Sequence, residues 1–155
     1  MIRHLDLAWR AFRAVTAAML VVLAGPVGAS TYGRLQEGAE LIRCRSTMQE
    51  LSFVVRDLPA RAAAARRPVQ LRLDAHRRVA QVATRFDGPR PYNAILQTVW
   101  LPKGLELIEG PEMLIATPHE TMDSVSYLLA APSHNTLFRL TARKGIVRLD
   151  EEPLL

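Results

Sequence analysis

The polarity of the chain changes its period twice along its length. The first stretch is apolar without a period. Residues 14–33 carry no charged side chain, and the strongly apolar part runs over 14–24 before Gly25, Pro26 and Gly28 interrupt it. Twenty uncharged residues at about 1.5 Å rise can cross roughly 30 Å of hydrocarbon. Val15, Met19, Leu20, Val21, Val22 and Leu23 are the side chains that would face lipid. Arg3, Arg10 and Arg13 precede them against a single acid, Asp6, which favours a cytoplasmic N-terminus and export of the remainder. Two other readings fit the same residues. One is a signal peptide with a small-residue site, Val27-Gly28-Ala29, before Ser30. The other is a buried helix of a soluble protein.

Beyond Gly33 the pattern becomes helical. Met48, Leu51, Val55, Leu58, Ala62 and Ala65 recur at the three- and four-residue spacing that places them on one side of a helix. Leu35, Ala39 and Ile42 read as the upstream continuation of this line. Glu37, Glu40, Arg43, Arg45, Glu50, Arg56 and Asp57 fill the polar side. Leu35, Ile42, Met48, Leu51, Val55 and Leu58 are therefore the expected helix-packing residues. Pro59 should kink or split the helix, because it lacks an N–H and crowds the preceding turn. Pro68 should end it.

From Pro68 the period is two. Val69, Leu71 and Leu73 alternate with Gln70, Arg72 and Asp74, as in a half-buried strand. A second strand starts at Val79 and Val82. The loop signal Asp87-Gly88-Pro89-Arg90-Pro91 precedes a strand over 95–101. Short strands are predicted at 105–108, 113–117, 125–131 and 136–141. A tight turn at Arg143-Lys144-Gly145 leads into a last strand with Ile146, Val147 and Leu149. The fold class is α+β: one long N-terminal helix packed on one or two antiparallel sheets. The expected divisions are residues 1–33 (basic leader and membrane segment), 34–67 (amphipathic helix) and 68–155 (β domain).

Charge adds an asymmetry. The net charge is +5, yet residues 1–78 hold 13 of the 20 basic and six of the 15 acidic side chains. The basic excess thus lies beside the apolar segment, where it can orient that segment or attract anionic lipid. Aromatic content of 6% argues against a base-stacking platform.

Chemistry-bearing groups are sparse. His4, His76, His119 and His134 lack metal-ligand spacing, and Ser124, Ser126 and Ser133 lack a nucleophile-elbow context. His119-Glu120 reads as exposed loop polarity, and Asp150, Glu151 and Glu152 as a solvated acidic stretch. The single cysteine, Cys44, rules out an intramolecular disulfide. Its neighbours Arg43 and Arg45 could lower the thiol pKa and raise its reactivity. No cofactor, metal, small-molecule substrate or catalysis is expected.

Three phrases resemble a known family. Leu58-Pro59-Ala60-Arg61 leading into Pro68-Val69-Gln70-Leu71 is similar to a helix end entering a first strand. Leu101-Pro102-Lys103-Gly104-Leu105 is similar to a mid-domain phrase. Phe138-Arg139-Leu140 with Gly145-Ile146-Val147-Arg148-Leu149 is similar to a closing hairpin. Together they resemble the GspH/FimT branch of type II secretion pseudopilins and type IV minor pilins. The resemblance implies a non-catalytic subunit held in the bacterial inner membrane by a single pass, with a periplasmic head. Its implied partners are other pilin-like subunits and secretion machinery. The N-terminus departs from the family pattern. Counting back from Pro26 puts Trp9 where the family carries Glu and His4 where it carries the cleavage Gly. Some minor pilins of this kind bind DNA through C-terminal basic residues, and Arg139, Arg143, Lys144 and Arg148 are the corresponding candidates. Asp150 to Glu152 beside them would repel phosphate, so nucleic acid is not the expected partner.

Overall fold

The computed structural model describes residues 3–86, 92–119, 122, 124–143 and 145–154, with the backbone alone over 3–32. Helix α1 spans Arg3–Ala65. It is followed by β1 (Val69–Asp74), β2 (Val79–Phe86), β3 (Tyr92–Trp100), β4 (Glu106–Glu109), β5 (Met113–Ala116), β6 (Val125–Ala131), β7 (Thr136–Arg143) and β8 (Ile146–Pro153). The chain divides into two compact units, Met1–Ala39 and Glu40–Leu155. The described residues of the first are all helix. The second holds the rest of the helix and all the described strands.

The strands form two four-stranded antiparallel sheets, ordered β3-β2-β1-β5 and β4-β6-β7-β8. Consecutive strands β4, β5 and β6 alternate between the sheets, so this part of the chain stitches the two layers together. The core lies between the sheets and the helix. Leu51 and Val55 of α1 converge with Leu71 and Leu73 of β1 and with Tyr127, Leu129 and Leu140 of β6 and β7. Each fully buried side chain of this size contributes about 1.5–3 kcal/mol by leaving water.

The buried line on α1 differs upstream from the expected one. Met48, Leu51, Val55, Leu58 and Ala62 are buried, and Cys44 continues the line with Leu41 packed beside it. Leu35 and Ile42 are not part of it; both are exposed. Cys44 follows Ile42 by two residues, which is about 200° around a helix, so only one of them can face the core.

Pro59 does not split α1, which continues to Ala65. Val55, Leu58 and Ala62 around it are buried, and their packing holds the helical path despite the missing donor. The helix then ends before Pro68 in a Schellman arrangement. Arg66 takes a left-handed φ of 52°. Its N–H donates to Ala63 O at 3.2 Å, and Arg67 N–H donates to Ala62 O at 3.3 Å. Pro68 follows directly, and its carbonyl accepts the buried Thr84 hydroxyl at 3.0 Å.

Between β4 and β5 the chain turns from one sheet to the other at Gly110, whose φ is +144°. A Cβ there would run into the buried Tyr127 ring. Glycine is needed both for the backbone angle and for the close approach. Gly110→Ala is expected to destabilise the protein by about 3 kcal/mol, combining backbone strain with overpacking. Urea denaturation of the variant beside wild type measures this.

Candidate interaction surface

A helix whose core side is buried in its own domain leaves its opposite side for others. On that side Ile42 is 65% and Phe53 53% exposed. They lie eleven residues apart, about three helical turns, and so share one side. Arg56 places its guanidinium 4.7 Å from the centre of the Phe53 ring. It also lies 3.8 Å from Asp57. Leu35, seven residues before Ile42, is 67% exposed. The sequence pattern missed Phe53. Its signal was its offset from Leu51, two residues and about 200° away from the core line. Met48, Leu51, Val55 and Leu58 are consumed by the core and offer no surface.

Two contacts join the helix to the second sheet at the level of residues 40–45. Arg45 binds Glu151 of β8 with both arms of its guanidinium: Nη2 donates to Oε1 at 2.6 Å and Nε to Oε2 at 2.9 Å. One turn earlier, Glu40 Oε2 lies 3.8 Å from Nε2 of His134, whose ring is nearly buried in the β6–β7 connection. That connection is a 3-10 turn, Pro132–His134, closed by Asn135 with a left-handed φ of 50°. At 3.8 Å the separation is too long for a hydrogen bond.

Cys44 sits between these two contacts but is fully buried. Burial, and secondarily the Glu40 charge, pushes its thiol pKa up. The lowering that Arg43 and Arg45 could give does not occur, and burial sets the direction instead. Tyr127 is buried with no partner for its hydroxyl among the described residues, and burial pushes its pKa up to about 12.

The C-terminal basic residues are interleaved with acids. The β7–β8 register sets Arg139 opposite Asp150 and Thr141 opposite Arg148. Arg139 lies 3.7 Å from Glu152. Arg143 and Arg148, with Thr141 and Ile146, surround a shallow depression at the hairpin end. This outer face carries both signs of charge, whereas tracking a phosphate backbone calls for a stripe of one sign. Lys144 and Glu120 lie outside the described residues. So do the side chains of Val15, Met19, Leu20, Val21, Val22 and Leu23. Among the described residues no helix is long and apolar enough to cross a membrane, and no group of three His, Cys, Asp or Glu could hold a metal.

A long N-terminal helix packed on two antiparallel sheets is the pilin-like fold of the GspH/FimT kind. Among solved structures, the chain is similar to the minor pseudopilin EpsH from the type 2 secretion system of Vibrio cholerae. The two share 15% identity over 69% of this chain and 95% of EpsH, with a TM-score of 0.55. It is also similar to the type IV minor pilin FimU of Pseudomonas aeruginosa in two crystal forms. In space group P21 the identity is 14% over 72% of this chain and 90% of FimU, with a TM-score of 0.54. In P65 the identity is 14% over 71% and 93%, with a TM-score of 0.51. Likeness at this level of identity establishes the fold. No protein-family model matches the chain, and no curated protein sequence does.

The Arg45–Glu151 contact makes a pH prediction. Hydrogen bonds from Arg45 hold the Glu151 carboxyl below its ordinary value. A depressed folded pKa contributes stability that is present above the ordinary glutamate value and lost as pH falls through the folded one. Wild type should therefore lose stability as pH drops below about 4.3. Arg45→Ala should lose less over the same range. Urea midpoints at pH 6 and pH 3 for both proteins check this; equal losses would contradict it.

Proposed function

We propose that the chain is a non-catalytic, pilin-like structural subunit of a type II secretion pseudopilus or a type IV pilus-like assembly. It works by helix packing and by contacts of its β domain. The observation that carries this reading is the division of α1. One side is buried against both sheets, and the other presents Ile42 and Phe53 to solvent beside a fold shared with EpsH and FimU. Exposed apolar side chains on one side of a helix are what a second helix would cover. In this reading the 14–24 segment anchors the chain in the bacterial inner membrane and the β domain projects into the periplasm. The partners are other pilin-like subunits and secretion machinery.

Two measurements test it in cells carrying such machinery. Leu20→Asp places a charge in the apolar segment at a cost of about 2.5–3.5 kcal/mol for insertion. It should move the protein out of the membrane fraction. A mature N-terminus at Ser30 would instead favour a periplasmic β domain released by signal peptidase. Phe53→Asp should leave folding stability within about 0.5 kcal/mol, because the side chain is exposed. It should reduce co-purification of pilin-like subunits about tenfold, as loss of an aromatic anchor does. Unchanged recovery of those subunits would remove the helix-packing role.

A further inference from the structure

Trp100 is 72% exposed, more than any other large apolar side chain among the described residues. It ends β3, opposite Val79 of β2. Cations stand on both sides of it. Arg78 precedes Val79, and its carbonyl accepts the Leu101 N–H at 2.9 Å. Lys103 follows in a turn closed by the Leu105 N–H, which donates to Pro102 O at 3.1 Å. Arg78 and Lys103 line one cavity of 190 Å³, together with Glu106 and the buried Leu101 and Leu105. Neither cation has an ion-pair partner among the described residues. The neighbouring acid Asp74 is taken up by Arg77, whose N–H donates to Oδ1 at 2.9 Å and whose Nε lies 3.7 Å from Oδ2.

This is the end at which the chain enters the β-domain unit. The Lys103-Gly104 turn abuts Glu40: a Cβ on Gly104 would lie 3.2 Å from Glu40 Oε1. Glu40 is the first residue of the second compact unit. Only residues 34–39 separate it from the uncharged segment 14–33. That tether spans at most about 25 Å when fully extended. The other end of the unit is further off. Strand β7 leads from Thr136, two residues after His134 and so close to Glu40, to Arg143, about 23 Å along the strand. An exposed indole flanked by unpaired cations is the chemistry of a bilayer interface. Trp lies among the headgroups with its ring at the acyl boundary, and Arg and Lys pair with lipid phosphates.

We propose that this end of the β domain docks on an anionic phospholipid surface, with Trp100 at headgroup level and Arg78 and Lys103 on lipid phosphates. The inference rests on the reading of residues 14–24 as a membrane anchor, which keeps the domain within reach of that surface. Contact through one end orients the domain on the bilayer before it joins an assembly.

Tryptophan fluorescence tests this, because Trp9 is the only other tryptophan. The full chain carrying Trp9→Phe is placed in bilayer discs of phosphatidylcholine, alone or mixed with phosphatidylglycerol. It should co-elute with both. In the mixed discs, lipids brominated near the headgroup should quench Trp100, and aqueous acrylamide should quench it less than in phosphatidylcholine alone. Each cation near an anionic surface contributes about fivefold, so Arg78→Asn with Lys103→Gln should shift the docked-to-free ratio about thirtyfold toward free. Asn suits the left-handed φ of 52° at position 78, and the unfolding midpoint checks the fold. Arg143→Gln with Arg148→Gln, at the far end, should leave the quenching unchanged. A chain that does not co-elute with phosphatidylcholine discs overturns the anchor reading and this inference with it. A chain that co-elutes while Trp100 stays open to acrylamide in the mixed discs overturns the inference alone. So does lipid quenching that survives Arg78→Asn with Lys103→Gln, or that falls equally with the far-end pair.

Discussion

The unit from Glu40 onward depends on the apolar side of α1 reaching the inner faces of two sheets at once. A four-stranded sheet with one apolar face must cover that face, and so must an amphipathic helix. Here the helix line from Cys44 to Ala62 covers both sheets together, and Leu51 and Val55 touch each of them. The strength of that packing is visible where local preference opposes it. Pro59 sits in the middle of the buried turn and the helix passes through it. The same packing determines which residues remain available to others. Once one side of the helix is buried, Ile42 and Phe53 stay exposed on the other, with Arg56 lying over the Phe53 ring.

Polar contacts refine this arrangement rather than create it. Arg45 and Glu151 are both partly exposed, and pairs of that kind add little stability, but a two-armed geometry fixes where β8 lies against the helix. Glu40 also lies beside the β6–β7 connection, 3.8 Å from His134. Between the sheets, the position of β4 and β5 relies on Gly110 and its approach to Tyr127, where no other residue would fit. The edges show a similar division of labour. Three are closed off by charge, proline or brevity, whereas β3, with no described strand on its far side, carries exposed apolar side chains.

Most of the elements were legible from periodicity. The change from a 3.6-residue to a two-residue period at Pro68 marks the passage from helix to β1, and the alternation Val69, Leu71, Leu73 is the buried face of that strand. Gly145, with a φ of 79°, closes the β7–β8 hairpin where the tight turn was expected. The helix line was legible from Met48 to Ala62, because hydrophobic residues at three- and four-residue spacing have only one way to face a core. It was misread upstream. Ile42 is the more apolar-looking continuation, yet Cys44 has the correct phase.

The sequence by itself determined local geometry and the α+β class. Each follows from backbone sterics and from the period at which apolar side chains recur, and neither needs a distant residue. Only the tertiary structure decided how the strands divide into two sheets, since β4 and β5 leave no local mark of which layer they join. It also decided that Phe53 and Ile42 remain exposed and that no described strand pairs with the far side of β3. Exposure is a property of what fails to arrive next to a residue, and that depends on every other part of the chain. The interaction surface was therefore half legible: the helix that carries it could be read, but the side it presents could not.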